Sequence, residues 1–239
     1  MFPPGALVED AGGVIALGLS FHGVPGQVLT SEVDAEGGLP VADGFMAGEG
    51  EVPAGTAIGF GETPLAIELV GRLEDPRCKL VLSHATDVDP EYLAELRACA
   101  QKWGVDMCVP IDRIDSVRGV GADGSKVYGL WDVYPHADFC TYPSLYEGFG
   151  NALIEAIYFD LPALVNRYTV YEADIGPLGF DFVEIDGQVT EQAVASVREL
   201  LQDPQRRQKA VDTNRRLAAE YFSYQVVRDR LQPLIESFG

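Results

Sequence analysis

From about Gly61 the apolar residues follow two alternating periods. "TPLAIELVGRL" carries them at helical spacing, with Pro64 suited to a first turn, and predicts a helix. "CKLVLSHA" is a short continuous apolar run and predicts a buried strand. "PEYLAELRACAQKWG" is amphipathic and ends on Gly104, a residue suited to closing a helix. "VDMCVPI", "DFCTYPS", "PALVNRY" and "FDFVEID" predict further strands. "KVYGLWDVYPHA" reads as a short helical or turn segment. "NALIEAIYFD", "EQAVASVRELLQD", "PQRRQKAVDTNRRLAAEYF" and "YQVVRDRLQPLIESF" predict helices. Strands alternating with helices imply crossover connections, and so an α/β fold with a doubly wound parallel sheet covered on both faces.

The first 60 residues break this rhythm. They hold eight acids, no Lys or Arg, and 13 of the 26 glycines. "GGVIALGL" and "GQVLTSEV" fit strands or short helical pieces, while "EGGLP", "GEGEVPAG" and "GFGETP" read as loops. The expected organisation is therefore a glycine-rich acidic segment, residues 1–60, and an α/β domain, residues 61–239.

Charge and cysteine usage narrow the partners. The net charge of −20 argues against nucleic acid and against anionic membrane surfaces. No apolar run is long enough for a bilayer, so no membrane insertion is expected. Cys78, Cys99, Cys108 and Cys140 form no CxxC pair. That favours reduced thiols in a cytoplasmic protein and no metal site. His22 and His136 lack acidic or cysteine neighbours at metal-ligand spacing.

The segment with the most chemistry is "TYPSLYEGFGNALIEA", Thr141 to Ala156. A predicted strand ends there, a Gly-Phe-Gly-Asn turn follows, and a helix starts. Gly148 and Gly150 permit a tight turn and the close approach of a ligand. Asn151 is suited to capping the helix. The first amides of a helix lack internal acceptors and carry the positive end of its dipole. Such a turn can hold a diphosphate without Lys or Arg, which suits a strongly acidic protein. Glu147 precedes the turn and Glu155 lies about one helical turn inside, with its side chain expected to point back to the mouth. Carboxylates accept hydrogen bonds from sugar hydroxyls. Hydroxyls on both sides of a diphosphate describe a nucleotide sugar, with Glu147 on the hexose and Glu155 on the ribose.

This string resembles the donor-site motif of the retaining GT-B glycosyltransferases of family 4, the glycosyl transferases group 1. The similarity extends through "LWDVYPHADFCTYPSLYEGFGNALIEAIYFDLPALVNRYTVYEADIGPLGF" and "YFSYQVV", and covers about Pro64 to Gly239. It implies the carboxyl-terminal, Rossmann-like half of a two-domain fold. The amino-terminal half of that fold holds most of the acceptor. The resemblance implies Glu147 as the catalytic residue, in contact with the donor hexose, and Glu155 on the ribose. The diphosphate would rest on backbone amides across Gly148, Phe149, Gly150, Asn151, Ala152 and Leu153. Transfer would retain the anomeric configuration and require no cofactor and no metal.

Two departures from the family pattern qualify that implication. The family places an Arg and a Lys just before the helix corresponding to "TPLAIELV", where this chain reads "GTAIGFGETP". Losing two charge-assisted contacts costs about 1.5–3 kcal/mol each. Arg113, Arg118, Lys126 and Arg167 are the candidates to replace them. Only about 60 residues precede the region of similarity, fewer than an ordinary domain. The expectation is thus a hexosyltransferase or its donor-binding half, completed by a second chain or an oligomer. The alternative is a catalytically inactive nucleotide-sugar-binding module, with a nucleotide-sugar epimerase or phosphorylase as a third reading. His84, in "LSHATD", and Asn166, in "NRY", end predicted strands on the ligand side and are further candidates. Trp103 and Trp131 fit amphipathic patterns and are expected in the core. "GVGADG" lacks the strand–helix context of a dinucleotide fingerprint.

Overall fold

The computed structural model describes residues 14–17, 63–83, 89–110, 113–115 and 118–237. Nine strands appear among them: β1 Val14–Leu17, β2 Lys79–Leu82, β3 Asp106–Cys108, β4 Ile114–Asp115, β5 Gly119–Val120, β6 Lys126–Gly129, β7 Phe139–Tyr142, β8 Ala163–Asn166 and β9 Val183–Ile185. The helices are α1 Thr63–Leu73, α2 Pro90–Trp103, α3 Asn151–Tyr158, α4 Glu191–Gln202, α5 Pro204–Phe222 and α6 Tyr224–Ser237.

Six strands form one parallel sheet in the order β3-β2-β1-β7-β8-β9. The order runs outward in both directions from the β1–β7 pair. That pair is the topological switch point, and in such sheets ligands bind beyond the carboxyl ends of the strands beside it. The expected doubly wound α/β sheet is present. The division at residue 60 is not respected by the sheet, because β1 comes from the glycine-rich segment and lies between β2 and β7.

Alternation along the strands builds the two layers. Phe139 and Leu164 face the α1/α2/α4 side with Leu80, Ile67 and Val197. Cys140 and Ala163 face Ala156 and Tyr134 on the other side, and Tyr142 and Val165 pack with Leu153 and Tyr168. β7 and β8 are buried on both faces, which explains their continuous apolar runs. Gly104 closes α2 as expected, in the left-handed conformation at φ 68°, and Asp89 caps its start by accepting from the Glu91 amide.

One segment departs from expectation. "KVYG" is a strand, β6, in a second small sheet ordered β4-β6-β5, and only "LWD" and "YPH" form 3₁₀ turns. The cause is the turn at residues 121–125. The Gly121 amide donates to the Ser125 carbonyl at 2.8 Å, and Asp123 Oδ1 accepts from the Ser125 amide at 2.9 Å. These bonds fold "GVGADGSKVYG" into a hairpin, whose short strands fall below what apolar periodicity can reveal. Trp103 and Trp131 also differ from expectation, being 37% and 43% exposed.

Candidate functional site

β7 delivers the chain to the switch point, and residues 143–150 form the loop between it and α3. The turn closes at Gly150, which has φ 89° and stands at the N-cap position of α3. Asn151, expected as the cap, is instead the first helical residue and is exposed. A residue with a Cβ is disfavoured at that φ. Space reinforces the constraint, since a Cβ on Gly150 would lie 2.3 Å from Tyr168 Oη and 3.3 Å from Tyr142 Cε1. The Tyr168 hydroxyl donates to the Phe149 carbonyl at 2.9 Å. The Leu153 amide donates to the Gly150 carbonyl at 2.9 Å. Of the amides expected to face a diphosphate, that of Leu153 is thus engaged within the turn. Those of Asn151 and Ala152 precede the first intrahelical acceptors.

The two glutamates occupy different environments. Glu147 is half-buried beneath the loop, and its Oε1 is buried with no hydrogen-bond partner. The Tyr142 phenol beside it is held well above its usual range, chiefly by burial, then by the Glu147 charge, and also by a hydrogen bond with the Glu147 carboxylate. A buried carboxylate oxygen without a donor is costly unless something else supplies one. Glu155 does not point to the mouth. It is 8% exposed, and its carboxylate turns to Tyr134 Oη at 2.8 Å and Trp131 Nε1 at 3.4 Å. Burial raises the Glu155 carboxyl above the usual glutamate range, against the opposing effect of those two donors. Tyr134 stacks on Phe159 at 5.0 Å, and Trp131 contacts Tyr158 and Phe159, so the carboxylate sits in an aromatic cage.

The remaining candidates divide. Asn166 is fully buried and braces two loops: its Nδ2 donates to the Ser144 carbonyl at 3.2 Å, and its Oδ1 accepts from the Gly187 amide at 2.7 Å. Its Nδ2 end holds the loop before Glu147, and its Oδ1 end holds the turn at Gly187. Arg113 pairs with Asp123 at 3.3 Å, Arg118 with Asp132, and Arg167 with Glu172 and Glu184. Lys126 lies over the Tyr128 ring at 4.6 Å. Each cation proposed to replace the absent basic pair therefore already faces an acid or a ring. His84 lies outside the described residues. All four cysteines are free thiols, and burial raises those of Cys78 and Cys108. Among the described residues, no cluster of His, Cys, Asp and Glu could hold a metal ion. No described helix is long and apolar enough to cross a membrane.

Sequence reading missed Tyr134 and Tyr168. Both look like ordinary core aromatics in an apolar pattern. The available signal was that a buried phenol must find a partner, and only acids or loop carbonyls lie near enough in such a fold to serve.

Residues 125–217, which span β6 to α5 and contain this whole arrangement, match the family "Glycosyl transferases group 1". This part of the chain is similar to a group 1 glycosyltransferase domain. It aligns with the mannosylglucosylglycerate synthase of Petrotoga mobilis at 37% identity over 112 residues, 47% of this chain and 25% of that protein. With the mannosylglucosylglycerate synthase of Thermotoga maritima the identity is 31% over 156 residues, 60% of this chain and 34% of that protein. The chain thus spans a quarter to a third of the length of the curated relatives it matches. Its fold is similar to that of Anabaena HepE solved with UDP-glucose, with a TM-score of 0.56 and 14% identity, over 74% of this chain and 45% of that one. This part of the chain has its GT-B carboxyl-half architecture, and its loop between β7 and α3 lies at the sheet's switch point.

Proposed function

We propose that this chain supplies the donor-binding half of a glycosyltransferase that moves a hexosyl group from a nucleotide-diphosphate sugar with retention of configuration. The observation that carries the reading is Glu147 Oε1, a buried acceptor without a donor, beside a left-handed glycine turn at the head of α3. A hexose hydroxyl supplies the missing donor, and the open amides at the head of α3 meet the diphosphate. On this reading Glu147 is the catalytic residue. The amides stabilise the leaving diphosphate as the glycosidic bond lengthens. Glu155 keeps Oε2 on Tyr134. A ribose contact from Glu155 requires Oε1 to leave the long Trp131 contact at 3.4 Å and turn out of the cage. No metal or cofactor takes part.

The named activity of the two relatives supports a small glycosylated acid as acceptor. UDP-glucose in the Anabaena structure supports a nucleotide sugar as donor. The remaining two thirds or more of the relatives' length leaves room for an acceptor domain in those proteins. The free thiols agree with a cytoplasmic setting.

The test is a thermal-shift screen of the purified chain against UDP-, GDP- and ADP-sugars, followed by assays of donor hydrolysis and transfer. A raised melting temperature with turnover supports the enzyme. Binding without turnover supports a regulatory donor-binding module, and no shift with any of these donors removes the reading.

A further inference from the structure

Tyr168 lies outside the motif from Glu147 to Glu155, yet it is built into the turn. Its side chain is almost fully buried, and its ring packs edge-on against Tyr142 at 6.3 Å and at a tilt against Tyr171 at 5.8 Å. Its backbone is fixed on both sides. The Tyr168 amide donates to the Asn166 carbonyl at 2.9 Å, and the Tyr168 carbonyl accepts from the Glu172 amide at 3.0 Å. A phenol held this way has one place to put its proton, and it gives it to the Phe149 carbonyl at 2.9 Å.

That bond fixes more than a carbonyl. The peptide joining Phe149 to Gly150 is planar and trans, so its C=O and N–H point in opposite directions. Anchoring the Phe149 oxygen on the buried side turns the Gly150 N–H outward. A peptide that leads from exposed Phe149 into a glycine can otherwise flip at little cost, because glycine accepts both signs of φ. We infer that Tyr168 is a positioning residue that locks the Phe149–Gly150 peptide with the Gly150 N–H aimed at the donor diphosphate, a role that rests on the donor-site reading above. Burial, with the nearby Glu147 charge, holds the Tyr168 phenol above its usual range and keeps it a donor. The missing Cβ of Gly150 then has a second purpose: it leaves the space in which the Tyr168 hydroxyl reaches its carbonyl.

The experiment compares the full chain with Tyr168→Phe, which keeps the ring and removes the hydroxyl. Calorimetric titration with UDP, GDP and ADP measures affinity, and the ¹⁵N-resolved Gly150 amide resonance reports on the peptide itself. The expected result is a displacement of the Gly150 amide on binding of the preferred diphosphate, and about a five- to tenfold loss of affinity in Tyr168→Phe with that displacement reduced. The melting temperature of the ligand-free variant is the control. A purely structural role lowers it but leaves the ligand-induced displacement intact, and that outcome overturns the inference. Wild-type affinity in the variant overturns the inference alone. If the unaltered chain binds none of the three diphosphates, the donor-site reading falls and takes the role of Tyr168 with it.

Discussion

The Tyr134 hydroxyl donates to Glu155 Oε2 at 2.8 Å inside the aromatic cage formed with Trp131, Tyr158 and Phe159. This bond decides how a carboxyl group can stay buried one turn into α3. Removing the donor with Tyr134→Phe leaves an acceptor that water cannot easily reach. The expected cost is about 1.5–3 kcal/mol where Glu155 is ionised, and nearer 1 kcal/mol where it is protonated. Urea unfolding at neutral and at acid pH measures both values.

The same cage gives a pH dependence with a defined sign. Burial raises the Glu155 pKa in the folded state above its ordinary value near 4.5. The folded chain therefore binds the proton more tightly than the unfolded chain. Its contribution to stability is full below the ordinary glutamate range and is lost as pH rises through the raised folded value. Glu155→Gln lacks that contribution. Melting temperatures of the two proteins, compared from pH 4 upward, should shift steadily in favour of the variant. A difference that stays constant with pH would contradict the assignment.

Glu147 is expected to behave in the opposite way, with little effect on stability and a large one on the ligand. Its Oε1 is buried without a donor, so Glu147→Gln removes the cost of that unmatched charge while an amide oxygen can still accept from Tyr142, and the ligand-free chain should be no less stable. Affinity for a hexose-bearing donor should fall roughly ten- to a hundredfold, while that for the free nucleoside diphosphate holds. Parallel titrations with a nucleotide sugar and its nucleotide separate the two. Equal losses in both would show that Glu147 does not read the hexose.

Gly150→Ala places a Cβ within 2.3 Å of Tyr168 Oη at a φ of 89°. The left-handed conformation alone costs about 1–2 kcal/mol, and the collision adds to it. Chemical denaturation should show at least that loss, together with loss of diphosphate binding. Adding Tyr168→Phe to this variant removes the colliding oxygen, and should recover the part of the loss due to the collision but neither the left-handed strain nor the binding.

Asn166→Ala removes the brace between the Ser144 carbonyl and the Gly187 amide. Both backbone groups then lose a partner, and the expected cost is about 1–3 kcal/mol in the absence of any ligand. An unchanged unfolding midpoint would return Asn166 to the role of a ligand contact.

Much of this was legible because the elements that carry the fold are long and strongly periodic. α1, α2, α4 and α5 announce themselves by apolar spacing, and α2 also by the Gly104 that closes it. The turn before α3 is legible for another reason: Gly148, Gly150 and the two glutamates are residue types whose chemistry is unusual for their position. What the sequence did not disclose depends on tertiary partners. The side-chain direction of Glu155 is set by Tyr134, which is 21 residues away along the chain. The exposure of Trp131 follows from the 3₁₀ turn that carries it, and such a turn has no apolar period of its own. The hairpin around Asp123 rests on strands of two and four residues, too short for alternation to show.

The place of Val14–Leu17 within the sheet bears on how the chain can be handled. A polypeptide begun at Gly61 would lack the middle ribbon that joins Lys79–Leu82 to Phe139–Tyr142. Those two neighbours would each present a raw row of amides and carbonyls to solution, an invitation to pair with other molecules. Since that ribbon must find companions distant along the chain, assembly of the native topology is expected to be slow and to depend on the amino-terminal stretch being present from the outset.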